Sequence, residues 1–278
     1  VTMSGGLTFG GGTTTAIANF TPTTAQSVTG VINADSSTDE GVVNVLGGTN
    51  LTTFNSAIGT TQNILQLNIG NATLGGNAKF SGVVEAATVT VFTQVGDDAV
   101  ADFDANVIGN VVVTGGNASG EDVTAGFAAN VTGTTTLTPN SGVATMLLDG
   151  TGAQTITGNV IAGADDKGIV SVTNTGGTVT FNDDVGVAGT GLSSIKIASG
   201  ATMMQKALLT GDDLTFDVVT TVDADGSDTK GGTLILEGGD AVSGTAGGAI
   251  TLATVTTTTN LTALRIQGGD AIENDVGG

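Results

Sequence analysis

The chain has no cysteine, no histidine, no tryptophan and no tyrosine, and it carries only 2 prolines and 6 basic residues in 278. Each shortage removes a class of function. Without cysteine there is neither a disulfide framework nor a thiolate metal site. Without histidine no Ser-His-Asp triad can be assembled. With no Trp or Tyr, a sugar cleft has only the 9 phenylalanines for stacking. The cations Lys79, Lys167, Lys196, Lys206, Lys230 and Arg265 are scattered, so no basic stripe exists to neutralise phosphates and nucleic acid is not an expected partner. No P-loop is present, and GTGAQT at Gly150 lacks the third glycine of the dinucleotide fingerprint. No apolar run approaches the roughly 18 residues of a membrane span, so membrane insertion is not expected. The chain starts at Val1 without a charged and then apolar leader and ends in AIENDVGG. This suggests a mature product or a piece of something longer.

What is present is glycine, threonine, valine and acid. There are 46 glycines and 26 acidic residues, for a formal net charge of -20. Such a charge invites divalent cations and disfavours anionic surfaces. It also raises the question of disorder. Against disorder stand 39% hydrophobic residues and an abundance of Val, Ile and Thr, which are strand formers.

The chain repeats itself. AQSVTGVINADSSTDEGVVNV from Ala25 is answered by AQTITGNVIAGADDKGIVSV from Ala153. TTFNSAIG from Thr52 is answered by VTFNDDVG from Val179, and ILQLNI from Ile64 by LSSIKI from Leu192, at the same long period with a slip of one. This predicts two tandem units, residues 1–130 and 131–278, in one continuous array. Shorter echoes lie inside them. FDANVIGNVVVTG from Phe103 returns as FAANVTGTTTLT from Phe127, an offset of 24, and LILEGGDAV from Leu234 as LRIQGGDAI from Leu264, an offset of 30. Periods of this size mark stacked architectures. Runs such as TVTVF, NVVVTG and GTLILEG alternate and end at Gly, Asn or Asp, as short strands do. No segment has a capped helical period. The fold expected is all-β: a right-handed parallel β-solenoid (β-helix) with coils of roughly 24 to 30 residues. The alternative is a string of tandem β-sandwich domains, which ordinarily have a Trp or Tyr core anchor that this chain lacks.

With the long echo and the AQTITGNV…GTVTFNDDVG wording in view, the chain resembles repetitive bacterial surface proteins. It is similar to the passenger regions of rickettsial-type autotransporters and to some surface-layer proteins. The likeness is one of composition and phrase over most of the chain. It implies an exported, cell-surface β-rich protein in a coat, filament or adhesin role.

Acidic clusters are the candidate sites. VDADGSDTKGG sets Asp223, Asp225 and Asp228 around Gly226, and alternate carboxylates beside a sharp glycine turn can converge on Ca²⁺. The loop is not an EF-hand, since the twelfth position from Asp223 is Leu234, and ordinary turn composition explains it as well. Asp102 with Asp104 is a second candidate pair. Asp97 with Asp98, Asp165 with Asp166, Asp183 with Asp184 and Asp212 with Asp213 are adjacent acids that read as surface charge. The acidic run inside the long echo changes its spacing between copies while the Val, Ile and Gly positions are kept, which marks it as a turn. Six sequons, at Asn19, Asn50, Asn71, Asn117, Asn130 and Asn260, are about what a threonine-rich chain contains by chance.

The reading is an extracellular, non-enzymatic structural protein that self-assembles into a surface layer, sheath, filament or fibre, with Ca²⁺ as its cofactor. An adhesin or receptor-binding fibre of a bacterium or virus tail, recognising a glycan or receptor, is the alternative. A carbohydrate-active β-helix using acid pairs comes third.

Overall fold

The computed structural model describes residues 3, 5–10, 15–35, 39–93, 98–164, 167–186, 192–198 and 201–205, with the backbone of strands Asp213–Phe216, Lys230–Glu237, Ala249–Leu252 and Leu261–Gln267. Among these residues there is no helix, and so none long and apolar enough to cross a membrane. Every strand pair among the described residues is parallel, and none of these strands pairs with its neighbour in sequence. Each pairs instead with the strand one coil away. The molecule is a parallel β-solenoid, and the sandwich alternative is excluded because its sheets would be antiparallel.

Each coil has three faces. The first is a 10-stranded sheet that includes Leu51–Phe54, Asn77–Phe80, Ala99–Phe103, Val123–Phe127 and Ala144–Leu148. The second is narrow and stacks Ile32, Ile58, Val84, Val107, Val131, Ile156 and Phe181 in register. The third stacks Ala18, Val43, Leu67, Val89, Val111, Thr135 and Val160. Strands Val84–Phe92 and Val107–Thr114 bend from the second face into the third without breaking. Alternation does the sorting: in Glu40–Val45 and Asn77–Phe80 every second residue is buried, because successive side chains of a strand point to opposite sides. Backbone conformation matters most at the corner between the second and third faces. Gly109 has φ 138° there, and a Cβ on it would run into the carbonyl oxygen of Ala86. Gly133 (φ 125°) and Gly158 (φ 103°) stack on it in the same conformation, which only glycine adopts without strain.

The short echoes are coil-on-coil partners. Phe103 pairs with Phe127, and Leu234 pairs with Leu264. The long echo has a different geometry. Gln26 reaches Met146 in five coils, through Thr52, Ala78, Ala101 and Ala125. The chain then rounds one more corner before it arrives at Gln154, the echo of Gln26, on the second face. Every echoed strand moves the same way. Thr52 on the first face is answered by Val179 on the second, and Gly41 and Ile64 on the third by Gly168 and Leu192 on the first. The long period is therefore a screw of five coils and one face. The sheets run unbroken past residue 130, where Val131 pairs with Val107 on one side and Ile156 on the other.

The core is narrow and filled with Val, Ile, Ala and Phe. Phe54, Phe80, Phe103 and Phe127 are buried one above another on the first face, their ring centroids 5.1, 4.8 and 5.2 Å apart and their planes within 9°, 11° and 9° of parallel. The backbone imposes this geometry, since parallel strands lie about 4.8 Å apart and in-register rings must stack at that spacing. Beyond Phe127 the column continues as Leu148 and Val172. There residues 149–153 project between two strands, and a buried pair plugs the gap. The Gln154 amide donates to the Phe127 and Ala129 carbonyls at 2.7 and 3.1 Å, and Asn174 donates to Gln154 Oε1 at 2.7 Å.

Two substitutions test this packing in opposite directions. Phe103→Ala removes a ring stacked on both sides and should lower stability by about 3–5 kcal/mol, with Phe103→Leu costing clearly less. Thr135 sits fully buried in the valine column, and its hydroxyl has no partner among the described residues. Thr135→Val should therefore raise stability by about 1 kcal/mol. Urea midpoints of the three variants against the parent decide both.

Candidate functional site

The candidate triplet Asp223, Asp225 and Asp228 lies outside the described residues. The pair Asp102 and Asp104 is described, and its surroundings follow from register. Lys79 lies on the outer side of Asn77–Phe80, and Asp102 sits directly opposite it on the next coil. Asp104 follows the end of that strand, its N–H donating to the Phe80 carbonyl at 2.9 Å. One ammonium serves both acids: Lys79 Nζ is 2.7 Å from Asp102 Oδ2 and 2.7 Å from Asp104 Oδ1. These hydrogen bonds hold the Lys79 ammonium above its ordinary pKa, against a smaller opposing effect of burial. Lys79 is 36% exposed and each aspartate 38%, so water screens the pair strongly.

A third acid joins them from the coil beyond. Asp102 pairs with Gly126, and a Cβ on Gly126 would lie 3.9 Å from both Asp102 Oδ1 and Asp149 Oδ2. With no side chain between them, the two carboxylates face each other across Gly126. Burial pushes the Asp149 carboxyl up, and the charges of Asp102 and Asp104 push it further, with a hydrogen bond from its own backbone N–H and the Lys79 charge opposing. The group carries three acids and one cation, a negative spot shared by three coils. Even so, no three acidic groups among the described residues are arranged to hold a metal ion. Lys79 already fills the position between Asp102 and Asp104 that a cation would take.

Three other acids have structural employment at corners. Asp98 Oδ1 accepts the Asp122 N–H at 3.0 Å, and Asp122 Oδ1 accepts the Val143 N–H at 2.8 Å. Asp183 Oδ2 accepts the Gly158 N–H at 2.7 Å. Asparagines do the same work. Asn106 accepts from the Asn130 N–H at 3.2 Å, Asn130 from Thr155 at 2.8 Å, and Asn110 from Thr134 at 3.1 Å. Where the chain turns a corner its N–H leaves the sheet ladder, and a short polar side chain of the neighbouring coil receives it. On the third face Asn19, Asn44 and Asn68 form an amide ladder at 2.7 and 2.8 Å. Sequence reasoning named Asn19 and Asn130 only as sequons and passed over the others. The signal was the A-N-V shared by the short echo, which contains Asn106 and Asn130. Nothing marked the Lys79–Asp102 pairing, because their separation in sequence is 23, whereas the next coil repeats at 24.

Loops gather where the third face turns into the first. Residues 46–50, 70–76, 115–122 and 139–143 all leave there and bond across coils. The Gly48 N–H donates to the Gly75 carbonyl at 2.9 Å, and the Asn140 amide to the Gly115 carbonyl at 2.9 Å. Leu74 and Val143 are exposed on this ridge. Comparison with protein-family models, curated proteins and solved structures finds no match for the chain.

The Asp149 environment has a pH signature. A carboxyl whose folded pKa is raised binds its proton more tightly in the fold, so it lowers stability as pH rises from the unfolded value of 3.8 to the folded one. Asp149→Asn should therefore be more stable than the parent at pH 7, by a margin that added salt reduces. The difference should vanish below pH 3.8. Thermal melts of the two proteins across that range check the sign.

Proposed function

We propose that this chain is an extracellular structural protein that self-assembles into a surface layer, sheath, filament or fibre. The observation carrying the reading is the continuity of the coil. Strand ladders, a phenylalanine column and corner amide bonds all run along one axis, so load applied to one coil passes to the next through many parallel bonds. A solenoid of this kind suits a spacer or scaffold, with long outer faces along which neighbours could pack side by side. The net charge of -20 would repel neighbours in such an array, and divalent cations bridging surface carboxylates relieve that repulsion. Ca²⁺ is the natural choice, with Asp223, Asp225 and Asp228 as its ligands.

An adhesin or receptor-binding fibre is the second reading. The loop ridge between the third and first faces favours it, because loops on a rigid scaffold are where recognition is usually placed. Glycan-array binding by the purified chain, lost when residues 115–122 are shortened, would select this reading over assembly.

Electron microscopy of concentrated protein in millimolar Ca²⁺ tests the assembly reading. Ordered sheets or filaments are expected, dispersing on EDTA treatment and weakened in the triple variant Asp223→Asn, Asp225→Asn, Asp228→Asn. Persistent monomers under all conditions would overturn assembly. Assemblies and thermal stability indifferent to EDTA would remove calcium from it.

A further inference from the structure

The sequons are equivalent in sequence and become unequal in the fold. Asn19 lies in the extended strand Ile17–Phe20, where side chains two residues apart are roughly 7 Å from each other, so its amide is remote from the Thr21 hydroxyl. The Asn50 amide nitrogen donates to the Gly47 carbonyl at 3.2 Å, and the Thr52 of its sequon is fully buried. Asn130 uses its carbonyl oxygen as a corner acceptor and is followed by Val131, buried in the core. Asn117 is exposed, with no organising contact among the described residues, and Asn260 lies outside them.

Asn71 differs from all of these. Its Oδ1 accepts three hydrogen bonds, from the Thr73 N–H at 2.7 Å, the Leu74 N–H at 2.8 Å and the Thr73 hydroxyl at 2.9 Å. Backbone N–H groups only donate, so the accepting atom must be the oxygen, and the turn leaves Nδ2 of this half-buried residue unused. Among the described residues Nδ2 has no hydrogen-bond partner. The loop is closed beneath it by the Asn71 N–H to the Leu74 carbonyl at 2.8 Å, and Ala72, Thr73 and Leu74 are exposed on the ridge. An amide nitrogen is a poor nucleophile because its lone pair is delocalised onto oxygen. Three donors on that oxygen stabilise the negative charge it gains as Nδ2 gives up a proton, as an oxyanion hole does.

We propose that Asn71 is the N-glycosyl acceptor of the folded chain, pre-organised for attack on an activated sugar. In the transfer Nδ2 forms a bond to the anomeric carbon of a sugar nucleotide. The bond from that carbon to the diphosphate oxygen breaks with its electron pair, and the nucleotide diphosphate leaves. The Nδ2 proton passes to a base of the transferase. A glycan there would stand on the loop ridge and leave the sheet faces clear for packing.

The test uses the whole folded protein with a soluble N-glycosyltransferase that accepts Asn-X-Ser/Thr and UDP-glucose as donor, and maps hexose by peptide mass spectrometry. Export plays no part in it, so its result is independent of the assembly reading. Asn71 should be modified at least about tenfold faster than Asn19, Asn50, Asn117 or Asn130. Asn71→Gln should abolish the fast phase while circular dichroism stays unchanged, and urea-unfolded chain should lose the preference for Asn71. Preferential modification of Asn117 would mean that exposure alone decides and would overturn the proposal. So would equal rates at all sites in the folded chain, or no transfer to folded chain when the unfolded chain is modified.

Discussion

Everything in this molecule depends on parallel in-register pairing of one coil with the next. That pairing sets a rise of about 4.8 Å per coil and places each residue directly over its partner. A side chain that suits one coil then meets a nearly identical neighbourhood in the next. Phenylalanine stacks on phenylalanine, asparagine bonds to asparagine, and glycine is forced where glycine already stands below. The same constraint punishes exceptions. The Thr135 hydroxyl in a valine column has no partner among the described residues, and the projecting segment 149–153 needs a buried Gln154–Asn174 pair to close the core behind it.

The acidic character of the chain acquires a different meaning once the corners are seen. Asp98 and Asp183, which read as surface charge, hold the backbone where the ladder is interrupted, as Asp122 does, and asparagines share that task. The Lys79 group is where two acids of one coil meet a cation of the coil before, with a third acid, Asp149, facing Asp102 across Gly126. It arises because Gly126 leaves space above Asp102. Its chemistry is that of a partly solvated ion cluster, which adjusts stability with pH and contributes little at high salt.

The screw relation adds a constraint on function. A feature repeated at the long period returns one face further round the axis, so a long-period motif winds around the rod. The coil period alone keeps a feature on one side, as with the loop ridge and the asparagine ladder. A surface meant for a flat neighbour must therefore be built from the short repeat, and that is where the asparagine ladder lies.

Parallel strands, the absence of helix among the described residues and the offset that seats Phe127 over Phe103 were legible in the sequence by itself. Alternation and Gly-Asn punctuation are local, and the echoes report register directly. In the first copy of the acidic run, whose spacing drifts beside kept apolar positions, Asp35 follows the strand Ile32–Ala34 and Glu40 opens the strand Glu40–Val45, while Asp165 and Asp166 of the second copy lie outside the described residues. Tertiary structure alone decided which of two equal-looking phrases share a face. It also decided which acid meets Lys79 and which asparagine turns its amide oxygen into a loop. Those outcomes depend on coil length to the residue: a separation of 23 brings Asp102 over Lys79, and one residue more would turn that carboxylate to the opposite side of the sheet. Small variations in loop length are unpredictable from residue types. They accumulate along the rod and are resolved only when the coils are stacked.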